Sequence, residues 1–178
     1  MKYFTELKRS MEYLASNPKT FFLGQAVEVP GTAMSNTLKD VKKSKLIELP
    51  VAEEMQMGIT TGMVMNGLIP VSIYPRWNFL ILALNQLVNH LDKLNEMTHN
   101  QYKSKAIIRT SVGSQRPLNP QAQHIGDFTK PIQMISKNLN VIKLKEPKQI
   151  FPAYKKALLR KDDKNTILVE YGDYYNEK

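Results

Sequence analysis

The residues with the greatest chemical capacity fall in positions 50–63, PVAEEMQMGITTGM. Glu53 follows the apolar run Leu46-Ile47-Glu48-Leu49 and opens a stretch without alternation. It therefore stands at the C-terminal end of an expected strand and at the N-terminus of an expected helix. A carboxylate at a helix N-terminus is favoured by about 0.3–1 kcal/mol, and ligands of parallel sheets bind beyond the C-terminal ends of the strands. Glu54 shares the first turn, and a pair of acids there is also what an ordinary helix start contains. Gly58 and Gly62 lie four apart on one helical face. Each costs about 1 kcal/mol against Ala, and the chain has only 8 glycines. Two on one face imply that another backbone comes close, either within the domain or across a subunit interface. Of the 3 histidines, His124 falls in a polar loop after an expected strand, a place from which a reacting group can reach substrate but which by itself reads more often as an exposed loop residue. His90 and His99 belong to a helix and to the polar turn after it. No two histidines have metal-ligand spacing, and the absence of Cys excludes disulfide frameworks, thiolate metal sites and cysteine nucleophiles.

The elements that must position these groups follow from the rest of the 178 residues. A chain of this length fits one domain, and 42% hydrophobic with 23% charged residues is ordinary globular composition. The longest apolar run is Phe79 to Leu84, far below the ~20 residues of a membrane span. The N-terminus MKYFTELKRSMEYL has no apolar core of a secretory signal, so a soluble cytoplasmic protein with no membrane contact is expected. The net charge of +9 is spread along the chain. No basic stripe interleaved with aromatics occurs, so nucleic-acid binding is not expected. Helical spacing of Phe4, Leu7, Met11 and Leu14 predicts a helix over 3–15, ended by Asn17-Pro18. Further helices are predicted near 37–43, over 53–66 with Gly67 as the cap, over 78–97, 130–137 and 147–160. Strands are predicted at 20–23, 45–49, 68–74, 105–110, 140–144 and 166–171. Loops are expected at 25–37, broken at Pro30-Gly31, and at 111–122, which holds Gly113, Pro117 and Pro120. Short apolar strands alternating with helices define an α/β three-layer sandwich with a mostly parallel sheet of about six strands.

The Glu53/Gly58/Gly62 spacing resembles the motif of the pyrimidine-binding domain in thiamin diphosphate enzymes. The stretch MNGLIPVSIYPRWNFLILALNQLVNHLDKL is similar to the beta subunit of 2-oxoacid dehydrogenase decarboxylase components, such as pyruvate dehydrogenase. Gly67, Leu68 and Pro70 match its strand start, Trp77, Asn78 and Phe79 its aromatic pair, and Asn85, Gln86, Asn89 and Lys93 its DQ-x-x-N-x-x-x-K pattern. Gln123-His124 resembles its active-site pair, and Leu23 to Val27, LGQAV, its first-strand LGEDV. The resemblance covers about Thr20 to Tyr171 and implies the transketolase-like pyrimidine-domain fold. It also implies thiamin diphosphate as cofactor, with Glu53 hydrogen-bonding a pyrimidine ring nitrogen and Glu54 one residue out of register. Val51 would line the pyrimidine pocket, Phe79 would stack on the ring, and His124 would orient intermediates and the acyl acceptor. Without the resemblance, Phe79 reads equally well as a core residue, and Val51 as any buried residue before Glu53.

The family's second domain carries Gly-Asp-Gly followed by Asn-Asn, which binds magnesium and the diphosphate. Gly126-Asp127 and Gly172-Asp173 do not continue in that way. The resemblance therefore implies no metal on this chain, with magnesium on a diphosphate-binding, alpha-type partner subunit in a heterotetramer or homodimer. Gly58 and Gly62 then mark a subunit-interface helix. The chain is expected to be a single pyrimidine-binding domain over 1–178, without the family's further C-terminal domain. Its loop 111–127 lacks the usual glycine-rich run, and Leu82 replaces a frequent glutamine. The expected activity is that of a subunit in a two-component 2-oxoacid dehydrogenase or decarboxylase. Alternatives are a split non-oxidative decarboxylase and a non-catalytic interaction module.

Overall fold

Six strands form one sheet: β1 (Thr20–Gly24), β2 (Leu46–Glu48), β3 (Ile69–Ile73), β4 (Ile107–Val112), β5 (Leu139–Lys143) and β6 (Asn165–Tyr171). Their order is β2-β1-β3-β4-β6-β5 and every pairing is parallel. The computed structural model describes residues 2–29, 32–116 and 119–177. The expected break at Pro30-Gly31, and Pro117 of the polar loop, lie outside the described residues. The helices are α1 (Tyr3–Ala15), α2 (Ala33–Asn36), α3 (Glu53–Met65), α4 (Trp77–Leu80), α5 (Leu94–Met97), α6 (Thr129–Ile135), α7 (Pro147–Leu159) and α8 (Tyr174–Glu177).

Strand periodicity divides the core into two halves, because successive side chains point to opposite faces. Ile107 and Leu168 join Tyr3, Leu7, Met11 and Leu14 of α1 and Ile150 and Tyr154 of α7 on one face. Ile108, Ile167 and Val169 join Met57 and Val64 of α3, the segment from Trp77 to Leu94, and Ile132 of α6 on the other. The result is the expected three-layer α/β sandwich. With all strands parallel, every loop that leaves a strand's C-terminal end emerges at one edge of the sheet.

Two segments differ from their predicted form. The helix expected near 37–43 lies earlier, as α2, because Thr32 and Ser35 form a reciprocal capping box. Thr37, Leu38 and Val41 are instead buried in the turns that follow. The single helix expected over 78–97 is broken into α4, a 3₁₀ turn at Ile81–Ala83, a π-helical stretch at Gln86–Leu91, and α5. The wide turn is closed by Asp92 N–H to Leu87 O at 2.9 Å. It places the buried Asp92 carboxylate where it accepts from the N–H groups of Lys137 and Asn138, at 3.0 and 2.7 Å, and so caps the start of β5.

Among the described residues one ion pair is fully buried. Arg109 of β4 donates from Nε and Nη2 to both oxygens of Glu170 on β6, at 2.8 and 3.0 Å. Tyr154 of α7 and Tyr175 of α8 donate to the same carboxylate, and Arg109 donates to Thr37 Oγ1 at 3.1 Å. Burial, then the charge of Glu170, pushes both tyrosines up, so they stay protonated donors. Removing one charge strands the other in an apolar layer. Glu170→Leu is expected to cost about 3–5 kcal/mol in urea unfolding, whereas Arg109→Met/Glu170→Leu together should cost less, the remainder coming from the Tyr154 and Tyr175 hydroxyls left without that acceptor. A double variant as unstable as the single one would refute this account.

Candidate active site

Helix α3 begins at the C-terminal edge of the sheet, and Glu53 is its first residue. Its N-cap, Ala52, offers no side chain to the helix. Position is fixed instead by a buried polar network. Gln56 Nε2 donates to Ser72 Oγ and Ile73 O, both at 3.0 Å, and Thr60 Oγ1 donates to Ser72 Oγ at 3.0 Å. Tyr74 Oη donates to the Glu53 carbonyl at 3.3 Å. Burial, and to a lesser degree the charge of Glu53, pushes the Tyr74 phenol up and keeps it a donor. Gly24 ends β1 beside this network with φ of +150°, where an added Cβ would lie 2.5 Å from Ile73 O. No other residue fits that approach.

The Glu53 side chain is 8% exposed, and its Oε1 is buried with no hydrogen-bond partner. Its neighbour Glu54 is exposed and accepts from Asn85 Nδ2 at 3.5 Å. Asn85 accepts in turn from Asn89 at 3.0 Å, and Asn89 from Lys93 at 3.2 Å. The pattern Asn85, Asn89, Lys93 thus builds a surface ladder that ends on Glu54. Glu53 is left as the acid that faces inward.

Three more buried polar atoms without partners belong to segments at the same edge: Trp77 Nε1 and Asn78 Oδ1 of α4, after β3, and His124 Nδ1, after β4. Among the described residues only Thr20 Oγ1 and Thr110 Oγ1 share that condition. Phe79 and His124 lie ring against ring, with centroids 5.1 Å apart and an interplanar angle of 33°. His124 ends a 3₁₀ turn at Gln121–His124, and Arg76 Nη1 donates to its carbonyl at 3.1 Å. Sequence reasoning missed Arg76, Gln56 and Ser72; only their place next to matched positions could have drawn attention to them. Val51 is 75% exposed beside Glu53, and Leu82 is also exposed. Neither is part of a closed pocket wall within this chain.

Apart from their chain neighbours and the backbone of their own helix, nothing lies within 4 Å of a Cβ added at Gly58 or Gly62. Close packing inside the domain is therefore not their purpose. Met55 and Met65 of α3 are exposed as well.

An orphaned carboxyl oxygen, a half-buried phenylalanine and a histidine suit a flat heteroaromatic ring with polar edges. They fit the aminopyrimidine half of thiamin diphosphate. The chain belongs to the family described as transketolase, pyrimidine binding domain, whose model matches residues 7–176. Among curated proteins it is 26% identical over 171 residues to the pyruvate dehydrogenase E1 component subunit beta of Gracilaria tenuistipitata var. liui, covering 94% of this chain and 51% of that one. It is 22% identical over 117 residues to the 2-oxoisovalerate dehydrogenase subunit beta of Bacillus subtilis (strain 168), covering 64% of this chain and 36% of that one. The chain thus spans about half the length of the first of these. In fold it is similar to a split-gene transketolase, solved as an inactive beta4 tetramer, with TM-score 0.73 and 15% identity over 94% of this chain and 50% of that one. Benzoylformate decarboxylase from Polynucleobacter necessarius gives TM-score 0.68 and 14% identity over 100% of this chain and 31% of that one. No helix among the described residues is long and apolar enough to cross a membrane.

Two outcomes follow from the geometry. Glu48 closes the turn after β1, accepting from the N–H groups of Val27 and Glu28, each at 2.8 Å. Partial burial pushes its carboxyl up, but these and neighbouring backbone donors win and hold it below its ordinary value of 4.5. The contribution is complete above that value and is lost as pH falls through the lowered one. Glu48→Gln should cost less than about 1 kcal/mol at neutral pH, since the group is solvent-exposed. The difference in urea midpoint should vanish in acid; a gap independent of pH would refute the capping role. Gly58→Ala and Gly62→Ala should each raise the stability of the isolated chain by about 0.5–1 kcal/mol. A loss of stability in thermal unfolding would mean that the space beside them is filled.

Proposed function

We propose that this chain is the pyrimidine-binding subunit of a two-component, thiamin diphosphate-dependent 2-oxoacid dehydrogenase or decarboxylase. The observation that carries the reading is the buried, unpartnered Oε1 of Glu53 at the N-terminus of α3. A buried acceptor without a partner costs about 1–3 kcal/mol, so a ligand that supplies the missing hydrogen recovers that cost. The Glu53 carboxyl holds the hydrogen at the pyrimidine ring nitrogen. Phe79 lies against the ring face, where stacking is worth about 0.5–1.5 kcal/mol beyond burial. When bound, thiamin diphosphate supplies the electron sink for breaking the bond beside a 2-oxo carbon.

His124, held against Phe79 and by Arg76, would face the reacting end of the substrate. Its unpartnered Nδ1 is available to hold or pass a proton there. Arg76 spends one donor on the His124 carbonyl. Its other N–H groups have no protein acceptor among the described residues, which suits a substrate carboxylate. A separate alpha-type chain supplies the diphosphate and magnesium site. It approaches across α3, where Gly58 and Gly62 leave room for a second backbone and Met55 and Met65 offer apolar contact. The relatives, beta subunits of pyruvate and 2-oxoisovalerate dehydrogenases, support the dehydrogenase branch.

The test uses the chain reconstituted with a co-purifying diphosphate-binding subunit. Glu53→Gln keeps the shape but not the acid, and should lower cofactor-dependent 2-oxoacid decarboxylation by about 10²–10⁴-fold. Glu54→Gln, on the surface ladder, should stay within a few-fold of the parent. Equal activity of the Glu53→Gln and parent proteins, with both correctly folded, would end the reading.

A further inference from the structure

The edge of the sheet opposite Glu53 carries its own surface feature. Two adjoining grooves there, of about 430 and about 740 Å³, share Arg160 and Lys161. The first crosses the N-terminal ends of β1, β3, β4 and β6, where Lys19, Lys103 and Lys105 stand over a floor of Val64, Leu68 and Ile69. The second continues along the last turns of α7, past Lys155, Lys156 and the exposed Leu159.

Two of these cations are compensated: Arg160 pairs with Asp162 at 2.7 Å and Lys103 with Asp163 at 3.8 Å. Lys19, Lys105, Lys155, Lys156 and Lys161 have no ion pair among the described residues. Helices α1, α3 and α7 end at this edge. Each C-terminus is equivalent to roughly half a negative charge. Three termini offset about 1.5 charges by that estimate, against the five unpaired lysines. The excess is a concentrated positive field over an apolar floor, and it accounts for much of the chain's net +9.

We propose that this groove docks an acidic segment of a partner protein that carries aliphatic residues among its carboxylates. The aliphatic floor takes the apolar side chains and the lysine rim takes the acids. A nucleic acid is less well matched: no aromatic residue lines either groove to stack on a base. The inference does not depend on the cofactor assignment, because the two features lie at opposite edges of the sheet.

The experiment uses the whole chain and a fluorescein-labelled peptide of alternating glutamate and leucine pairs. Binding is followed by anisotropy from low to physiological salt. The peptide should bind, weaken steeply as salt rises, and lose at least about tenfold in affinity to Lys19→Glu/Lys155→Glu/Lys161→Glu. All three positions are exposed, and circular dichroism checks that the variant folds. Glu53→Gln should bind the peptide like the parent. Unchanged affinity in the triple variant would overturn the proposal. So would tighter binding of single-stranded RNA or phosphatidylserine vesicles than of the peptide, which would assign the groove to a different class of partner.

Discussion

A carboxyl oxygen buried at a helix N-terminus with nothing to bond to is the constraint around which this domain is organised. Folding alone would discard such an arrangement, since solvation or a local donor is always cheaper. The chain keeps Glu53 in place by fixing the backbone that bears it more firmly than the side chain requires. Gln56, Thr60 and Ser72 bind α3 to β1 and β3, and Tyr74 holds the carbonyl of Glu53 itself. None of those bonds uses the Glu53 side chain, so the frame that holds α3 does not depend on the acid itself.

The same helix differs in character between its two sides. On its inner side Met57, Thr60 and Val64 are buried; on its outer side Met55 and Met65 are exposed and Gly58 and Gly62 face open space. A helix apolar on both sides is normally covered on both sides. Within one chain α3 is covered only by the sheet and by the segment from Trp77 to Leu91. An outer side of this composition is what the proposed partner subunit would cover.

Much of this was legible in the sequence where structure is local. The six strands, α1, α3 and α7 follow from short apolar runs and helical spacing, and the Glu53/Gly58/Gly62 spacing located the acid. Residues 78–97 misled because a 3.6-residue period was assumed across a π turn, whose extra residue serves the distant N–H groups of Lys137 and Asn138. The capping box of Thr32 and Ser35 was readable, but Pro30-Gly31 drew the loop assignment past it. The Arg109–Glu170 pair and the Gln56–Ser72 bond join residues 61 and 16 positions apart, and no spacing rule links them. Glu53 and Glu54 could be ordered by resemblance, yet only burial shows why: one faces the sheet edge and the other the Asn85–Asn89–Lys93 ladder.

An all-parallel sheet imposes a further separation. Its C-terminal edge gathers four of the orphaned polar atoms, on segments that follow β2, β3 and β4. Its N-terminal edge gathers helix C-termini and the lysines that suit them. Strands of 5 to 7 residues in the four central positions hold the two edges roughly 17–24 Å apart. A partner bound at one edge therefore does not occlude the other. The two proposed roles of this domain, at the C-terminal and the N-terminal edge, therefore fall on separate sets of residues.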